Sequence, residues 1–252
     1  MFNVNLNLNL NLNLNLGIGG EIMAVYGIAD LHLDSTGDKP MDIFGNNWVS
    51  HQDKIFNNWR NIVSEDDIVL IAGDISWALR LSEAYADLMK IEKLPGNKVI
   101  TRGNHDYWWS TKSKLEGLGF KTIHFLHNDS FLYNSIVICG ARGWASKDSD
   151  EFDSQDEKIF SREINRLDLS LSSIKDDSFE KIVMLHYPPF NTENKSPNEF
   201  VDIMKKYNVT KCVYGHLHGE GHKLVVEGNI EGIDFHCIAC DYINFTPKEI
   251  IR

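Results

Sequence analysis

Five short apolar runs in this chain each end in side chains able to hold a metal ion. "MAVYGIA" leads into Asp30 and His32, and "DIVLIAG" into Asp74. "KVIT" leads into Arg102, Asn104, His105 and Asp106. "KIVML" leads into His186, and "KCVYG" into His216 and His218. Carboxylates, imidazoles and an amide oxygen form a mixed donor set. Such a set suits Mn, Fe or Zn better than Ca, which prefers oxygen alone. Asp30, His32, Asp74, Asn104, His186, His216 and His218 are too many for one tetrahedral ion. They match two ions sharing a bridging carboxylate. Two dications about 3.5–4 Å apart clamp a phosphoryl group and lower the pKa of a shared water. Against their four positive charges, Asp30 and Asp74 bring two negative ones, so the site stays positive even with a hydroxide bound. Any one of these histidines taken alone is more often structural. The ordered set at five strand ends favours ligation.

The positioning elements follow from hydrophobic periodicity. The five apolar runs predict buried strands, and ligands in α/β sheets gather at the carboxyl ends of strands. On extended backbone, residues i and i+2 point the same way. Asp30 and His32 are therefore expected to face one ion across Leu31, and His216 and His218 across Leu217. Asn104 and His105 are adjacent and should diverge. Gly73, Gly103, Gly215 and Gly219 are expected to let the backbone bend. Helical stripes comprise Ile55, Phe56, Trp59, Ile62 and Val63; Leu81, Tyr85, Leu88 and Met89; Phe160, Ile164, Leu167, Leu171 and Ile174; and Phe200, Ile203, Met204 and Tyr207. With further strand-rich sequence toward the C-terminus, this predicts an α/β layered fold with a mixed sheet or two packed sheets.

Asp-x-His, Gly-Asp, Gly-Asn-His-Asp, a lone His and Gly-His-x-His, in that order, resemble the calcineurin-like metallophosphoesterase superfamily. The resemblance runs from about Tyr26 to Gly219. "GNHDYWWS" and "GARGW" are also similar to a bacterial group of predicted phosphohydrolases within it. The resemblance implies a four-layer αββα sandwich, with two mixed β-sheets flanked by helices. It implies one metal on Asp30, His32, Asp74 and His218, and a second on Asp74, Asn104, His186 and His216, with Asp74 bridging. It makes His105 the general acid, or the group polarising the leaving oxygen, and Asp106 its hydrogen-bonding partner. The implied reaction is in-line attack of a metal-bound hydroxide on a phosphomonoester or phosphodiester, with no covalent enzyme intermediate. The stretch "DSTGDKPMDIFGNNW" between His32 and Asp74 departs from the family pattern and is expected to wall the site. A competing reading is a non-catalytic, metal-binding scaffold of the same fold.

Other residues are weighed against plainer roles. Arg142, and less strongly Arg102, could grip phosphate oxygens bidentately or pair with acids. Tyr107, Trp108, Trp109 and Trp144 could stack on a leaving group, but packing is the expected role. His51, His124, His127, His222 and His236 read as surface or packed histidines. Cys237 and Cys240 form a C-x-x-C in a strand-like run, away from the strand-end cluster, and read as packed thiols. The acidic run at 147–158 reads as a solvated loop entering a helix. Alternating Asn and Leu or Val over residues 3–16 predict a low-complexity extension, 1–22, outside a single domain over 23–252.

The net charge of -11 disfavours broad binding to nucleic acid or an anionic membrane. No apolar run approaches the roughly 18 residues of a membrane span. The four cysteines suggest no disulfide framework. The expectation is a cytoplasmic hydrolase acting on a small-molecule phosphoester with two divalent metal ions.

Overall fold

The computed structural model describes residues 23–174 and 178–252. The Asn-Leu alternation and the 1–22 extension lie outside the described residues.

Two sheets stack face to face. The first has the order β11-β1-β2-β3-β4, built from β1 (Val25–Ile28), β2 (Ile68–Ala72), β3 (Asn97–Thr101), β4 (Ile123–Phe125) and β11 (Lys248–Ile251). The second has the order β5-β6-β7-β8-β10-β9, from β5 (Ser130–Tyr133), β6 (Ile136–Ala141), β7 (Glu180–Leu185), β8 (Lys211–Tyr214), β9 (Gly228–Ile230) and β10 (Ile233–Cys237). Interior strands run parallel, while β11, β5 and β9 are antiparallel at the edges. Every residue of β2 is buried, as a strand covered on both faces requires.

Val25, Ile68, Leu70 and Val99 on one inner face cluster with Ile138, Ile182, Met184 and Val213 on the other. Each such side chain contributes roughly 1.5–3 kcal/mol by leaving water. Helices α1 (His51–Ile62) and α2 (Leu81–Glu92) cover the first sheet, packing Ile55, Trp59, Leu88 and Ile91 against it. Between β3 and β4 lies the short helix α3 (Lys112–Glu116). Helices α4 (Ser154–Ser172) and α5 (Glu199–Lys206) cover the second sheet through Phe160, Leu167, Phe200 and Met204. The result is the αββα sandwich. Asp153, in the acidic run, caps α4 by accepting from the amides of Gln155 and Asp156.

The α2 stripe differs from expectation. Tyr85 is 43% exposed, and the buried face carries Ala84, Asp87, Leu88 and Ile91. Asp87 is inside because its carboxylate accepts from the hydroxyls of Ser35 and Ser76. That polar tether competes successfully with the apolar period.

Register lines up the strand ends that matter. Ile28 pairs with Ile71, and Ile71 with Ile100. In the other sheet Leu185 pairs with Tyr214. The turns after β1, β2, β3, β7 and β8 thus emerge together at one end of the sandwich.

Candidate metal centre

Four of the seven candidate ligands do not sit on extended backbone. Asp30 (φ 62°), His32 (φ 43°), Asp74 (φ 51°) and His216 (φ 72°) all have left-handed backbone. The expected i, i+2 alternation therefore does not explain their convergence. Each such residue costs on the order of 1–3 kcal/mol unless its surroundings hold it. Here they do. The Asp30 amide donates to Gly73 O at 2.9 Å, and the His32 amide to Asp74 O at 3.0 Å. The ligands also hold one another's turns. The Asp74 carboxylate accepts from the His105 amide at 2.8 Å, and Asp30 from the His216 amide at 3.0 Å. Gly103 and Gly215 serve close approach, because a Cβ on either would collide with the carboxylate of Asp74 or Asp30.

All seven predicted ligands meet. His218 Nε2 lies 3.2 Å from Asp30 Oδ1. Asp74 Oδ2 sits between the two sides of the site, 3.8 Å from His32 Nε2 and 3.5 Å from His186 Nε2. His186 Nε2 is 2.7 Å from Asn104 Oδ1 and 3.3 Å from His216 Nδ1. Two three-residue groups have ligand atoms within 4.8 Å of one another: Asp30, His32 and His218, and Asp30, Asp74 and His186. Asp30, rather than the expected Asp74, is the residue common to both.

This donor set fits divalent cations. His186 Nδ1 is 2.9 Å from Ala72 O, a carbonyl that can only accept, so Nδ1 carries the proton. Burial, above all, lowers the pKa of His186 and holds the ring neutral. Nε2 therefore presents a lone pair to the oxygen of Asn104, an arrangement that a cation between them would stabilise. Asp30 Oδ1, His32 Nδ1 and His218 Nε2 are buried without hydrogen bonds. The 3.2 Å approach of His218 to Asp30 is thus close enough for attraction but not aligned as a hydrogen bond.

The charges point the same way. Burial and the Asp30 charge push the Asp74 carboxyl up to about 8. Burial drives His32 well below the usual histidine range, and burial together with His186 drives His216 down to about 3. Burial also opposes ionisation of Asp30, but His218 outweighs it and holds this carboxyl below its ordinary value. Against its own burial, His218 is raised to about 10 by Asp30 and Asp241. Near neutral pH, protons on Asp74 and His218 balance the buried carboxylates, and bound cations would take the place of those protons.

Asp106 corrects the expectation for its role. Its carboxylate accepts from the amides of Gly103, Asp74, Ile75 and Ser76 and from the Trp108 indole, and it makes no hydrogen bond to His105. It clamps the β2 and β3 turns together. Burial, then the Asp74 charge, raises its pKa to about 7 despite those donors. His105 is half-buried, 4.7 Å centroid to centroid from Trp77, and burial lowers its pKa. It lines a cleft of about 250 Å³ with His32, His218, Met41, Phe44, Trp48 and Trp77. The stretch after His32 does wall the site, through Met41, Phe44 and Trp48.

Some contributors escaped the sequence reading. Trp77 stacks on His32 at 4.7 Å, and Trp48 lies edge-on to His218 at 5.6 Å. As expected, Trp108 packs, buried against Trp109 and Phe125, whereas Tyr107 lies edge-on to His105 with centroids 6.3 Å apart. Asp241 accepts from His218 Nδ1 at 2.7 Å and pairs with His222 at 3.1 Å. His51 donates from Nε2 to the carbonyls of Leu31 and His32, so it supports the first turn. Cys240 also backs the cluster, donating from Sγ to Asp30 O at 3.0 Å, contrary to the expected separation. Burial raises its thiol far above the usual range, so it acts as packing. Asp241 had one signal, its place directly after the C-x-x-C strand run. Trp48 had its place in the stretch after His32, and Trp77 had none.

Among the described residues, no helix is long and apolar enough to cross a membrane. A family model for calcineurin-like phosphoesterases matches residues 23–220. Protein MJ1445 of Methanocaldococcus jannaschii is 30% identical over 79 residues, which span 31% of this chain and 43% of that protein. The chain thus spans less than half the length of this curated relative. Among solved structures, the phosphopantetheinyl hydrolase PptH of Mycobacterium tuberculosis superposes with a TM-score of 0.53 at 13% identity, over 90% of this chain and 95% of that one. Protein TT1561 of Thermus thermophilus superposes with a TM-score of 0.51 at 10% identity, over 79% and 83% of the two chains. Those likenesses show a shared fold. The family match, covering most of the chain and all seven candidate ligands, shows that this protein belongs to the calcineurin-like phosphoesterases.

Proposed function

We propose that this chain is a two-metal phosphoesterase that hydrolyses a small-molecule phosphomonoester or phosphodiester. One observation carries the reading: two buried carboxylates and four histidines converge on one sandwich end, with lone pairs facing each other and buried ligand atoms lacking hydrogen bonds. Asp30, His32, Asp74 and His218 would hold one cation, and Asp74, Asn104, His186 and His216 the other. Two divalent ions of the Mn, Fe or Zn class, when bound, supply an activated water and positive charge against the phosphoryl oxygens. His105 stands beside them at the cleft, close to where a leaving group would depart. Its lowered pKa keeps the ring largely neutral at pH 7, so its N–H donates a hydrogen bond to the leaving oxygen as the P–O bond breaks. Asp106 holds the Gly103–His105 turn in place for this. Four buried cysteines fit a reducing compartment, and we place the protein in the cytoplasm.

The test is hydrolysis of p-nitrophenyl phosphate and bis-p-nitrophenyl phosphate by the full chain with Mn²⁺, and after chelation. Turnover should require metal. His105→Ala should keep the metal content and lower turnover about 100-fold, within the range for a lost proton donor. Equal rates with and without metal would overturn the reading.

A further inference from the structure

A second, larger cleft of about 350 Å³ opens next to the metal centre, and its walls run against the charge of the whole protein. Arg102, Arg142 and Arg166 line it, with Glu163 as the only carboxylate among the described lining residues. Three positive charges against one negative leave an excess of two, in a chain of net charge -11. The single carboxylate is already shared. Glu163 Oε1 lies 3.4 Å from Arg142 Nη2 and 3.5 Å from Arg166 Nε. Arg142 is further placed with its guanidinium 4.2 Å from the Trp144 ring centroid. Arg102 has no hydrogen-bond or ion-pair partner among the described residues, and its Nε is buried. Arg142 Nε is likewise buried without a partner. An unpaired, half-buried guanidinium beside two others is costly unless an anion meets it.

The cleft is joined to the metal centre through the backbone. Arg102 lies two residues before Asn104. The carbonyl of Arg142 accepts from the amides of His186 and Tyr187, both at 3.0 Å.

We infer that this cleft binds a second phosphate group of the substrate, distinct from the one being hydrolysed. Planar guanidinium forks fit phosphate oxygens, and three of them around a half-enclosed space surpass what a neutral alcohol leaving group needs. The natural substrate would then be a bisphosphate, with its scissile phosphoryl at the metal centre and its second in the arginine cleft. This rests on the phosphoesterase reading for the first phosphate but not for the second.

Two arms separate the claims. The first titrates metal-stripped full chain with inorganic pyrophosphate by calorimetry. Binding is expected, and Arg102→Gln and Arg166→Gln should each weaken it about tenfold, since a charge-assisted hydrogen bond is worth at least about 1.4 kcal/mol. Arg166 is 44% exposed, so its loss should leave the fold intact, which a thermal melt checks. Arg166→Lys should restore part of the affinity. No binding, or equal binding by all variants, overturns the cleft. The second arm compares kcat/KM of the Mn²⁺-loaded chain for α,ω-alkanediol bisphosphates of increasing length with that for the matching monophosphates. A preference for bisphosphate at one length, reduced in Arg166→Gln, is expected. Pyrophosphate binding without such a preference would make the anion a free ligand and refute its place in the substrate. Binding in the first arm, with no turnover of any ester in the second, would sink the esterase reading alone.

Discussion

Asp241 touches no reacting atom in this arrangement, yet its removal should weaken the metal centre. Its Oδ1 accepts from His218 Nδ1 at 2.7 Å, and its Oδ2 lies 3.2 Å from the Gly219 amide and 3.1 Å from His222 Nε2. With Nδ1–H committed to this carboxylate, His218 Nε2 is left facing Asp30 Oδ1 at 3.2 Å. Asp241→Ala frees the ring to rotate and to change tautomer, and it removes a buried negative charge that makes the imidazole a better donor. Loss of such a supporting partner costs about 10- to 100-fold in metal affinity, or roughly 1.4–2.8 kcal/mol. Asp241→Asn keeps an acceptor oxygen but not the charge. Its loss should be smaller, about half in free energy, as for a neutral against a charge-assisted bond. Competition of Mn²⁺ or Zn²⁺ between each variant and a chromophoric chelator measures this, with circular dichroism confirming the fold. If Asp241→Ala bound both equivalents with wild-type affinity, the ring would be positioned by something else and the argument from this contact would be wrong.

Three further outcomes are expected. Between about pH 7 and 8.5 the metal-free chain should lose stability as pH rises, by about 2 kcal/mol. In that window Asp74, at about 8, and His218, at about 10, bind protons more tightly folded than unfolded, whereas the depressed histidines oppose this only weakly because their unfolded counterparts have largely released their protons. Chemical denaturation at pH 7 and 8.5 reads the slope, and Mn²⁺ should flatten it by replacing the protons; a metal-free chain more stable at pH 8.5 would contradict the charge assignment. Phe44→Ala, at a cleft residue 63% exposed, should raise KM for aryl phosphates about threefold to tenfold with little change in kcat, from roughly 1 kcal/mol of lost apolar contact. Gly103→Ala should weaken metal binding about 5- to 150-fold, because overpacking of about 1–3 kcal/mol falls on the Asp74 carboxylate itself; a variant with wild-type metal affinity would show that the turn can shift.

The convergence of the candidate ligands was legible in the sequence because the constraint producing it is topological. Parallel strands in register bring their carboxyl ends to one edge, so a donor after each apolar run was enough to foresee that Asp30, Asp74, Asn104, His186 and His216 would meet. What the donors rest on was not legible. The carboxylate of Asp106 follows His105 directly, and nearness in sequence made it the natural partner. Five donors from two turns converge on it instead. Trp48 and Trp77 carry no spacing signal, because their position depends on how irregular segments cross the sandwich end. Asp87 is hidden for a related reason: a helical stripe reports apolar residues and is blind to a buried carboxylate satisfied by serines from elsewhere.

The failure of the i, i+2 argument carries a physical lesson about this centre. Strand alternation would have placed the donors with no backbone cost. Left-handed turns at Asp30, His32, Asp74 and His216 instead store strain, on the order of 1–3 kcal/mol each. In return the chain reverses immediately after each strand. Backbone amides are thereby freed to hold the carboxylates, as the His216 amide does for Asp30 and the His105 amide for Asp74. A carboxylate fixed by an amide has one lone-pair direction committed and the rest free to meet a cation. Because each turn is held by a donor from another strand's turn, the site resists collapse as a unit rather than ligand by ligand. Substitutions in one turn should then be felt at ligands of the other sheet, and coupling between Asp30→Asn and His186→Ala in a double-mutant cycle of metal affinity should exceed about 0.5 kcal/mol, the usual limit for independent sites. Strict additivity would mean that the turns, despite their shared hydrogen bonds, are preorganised separately by their own sheets.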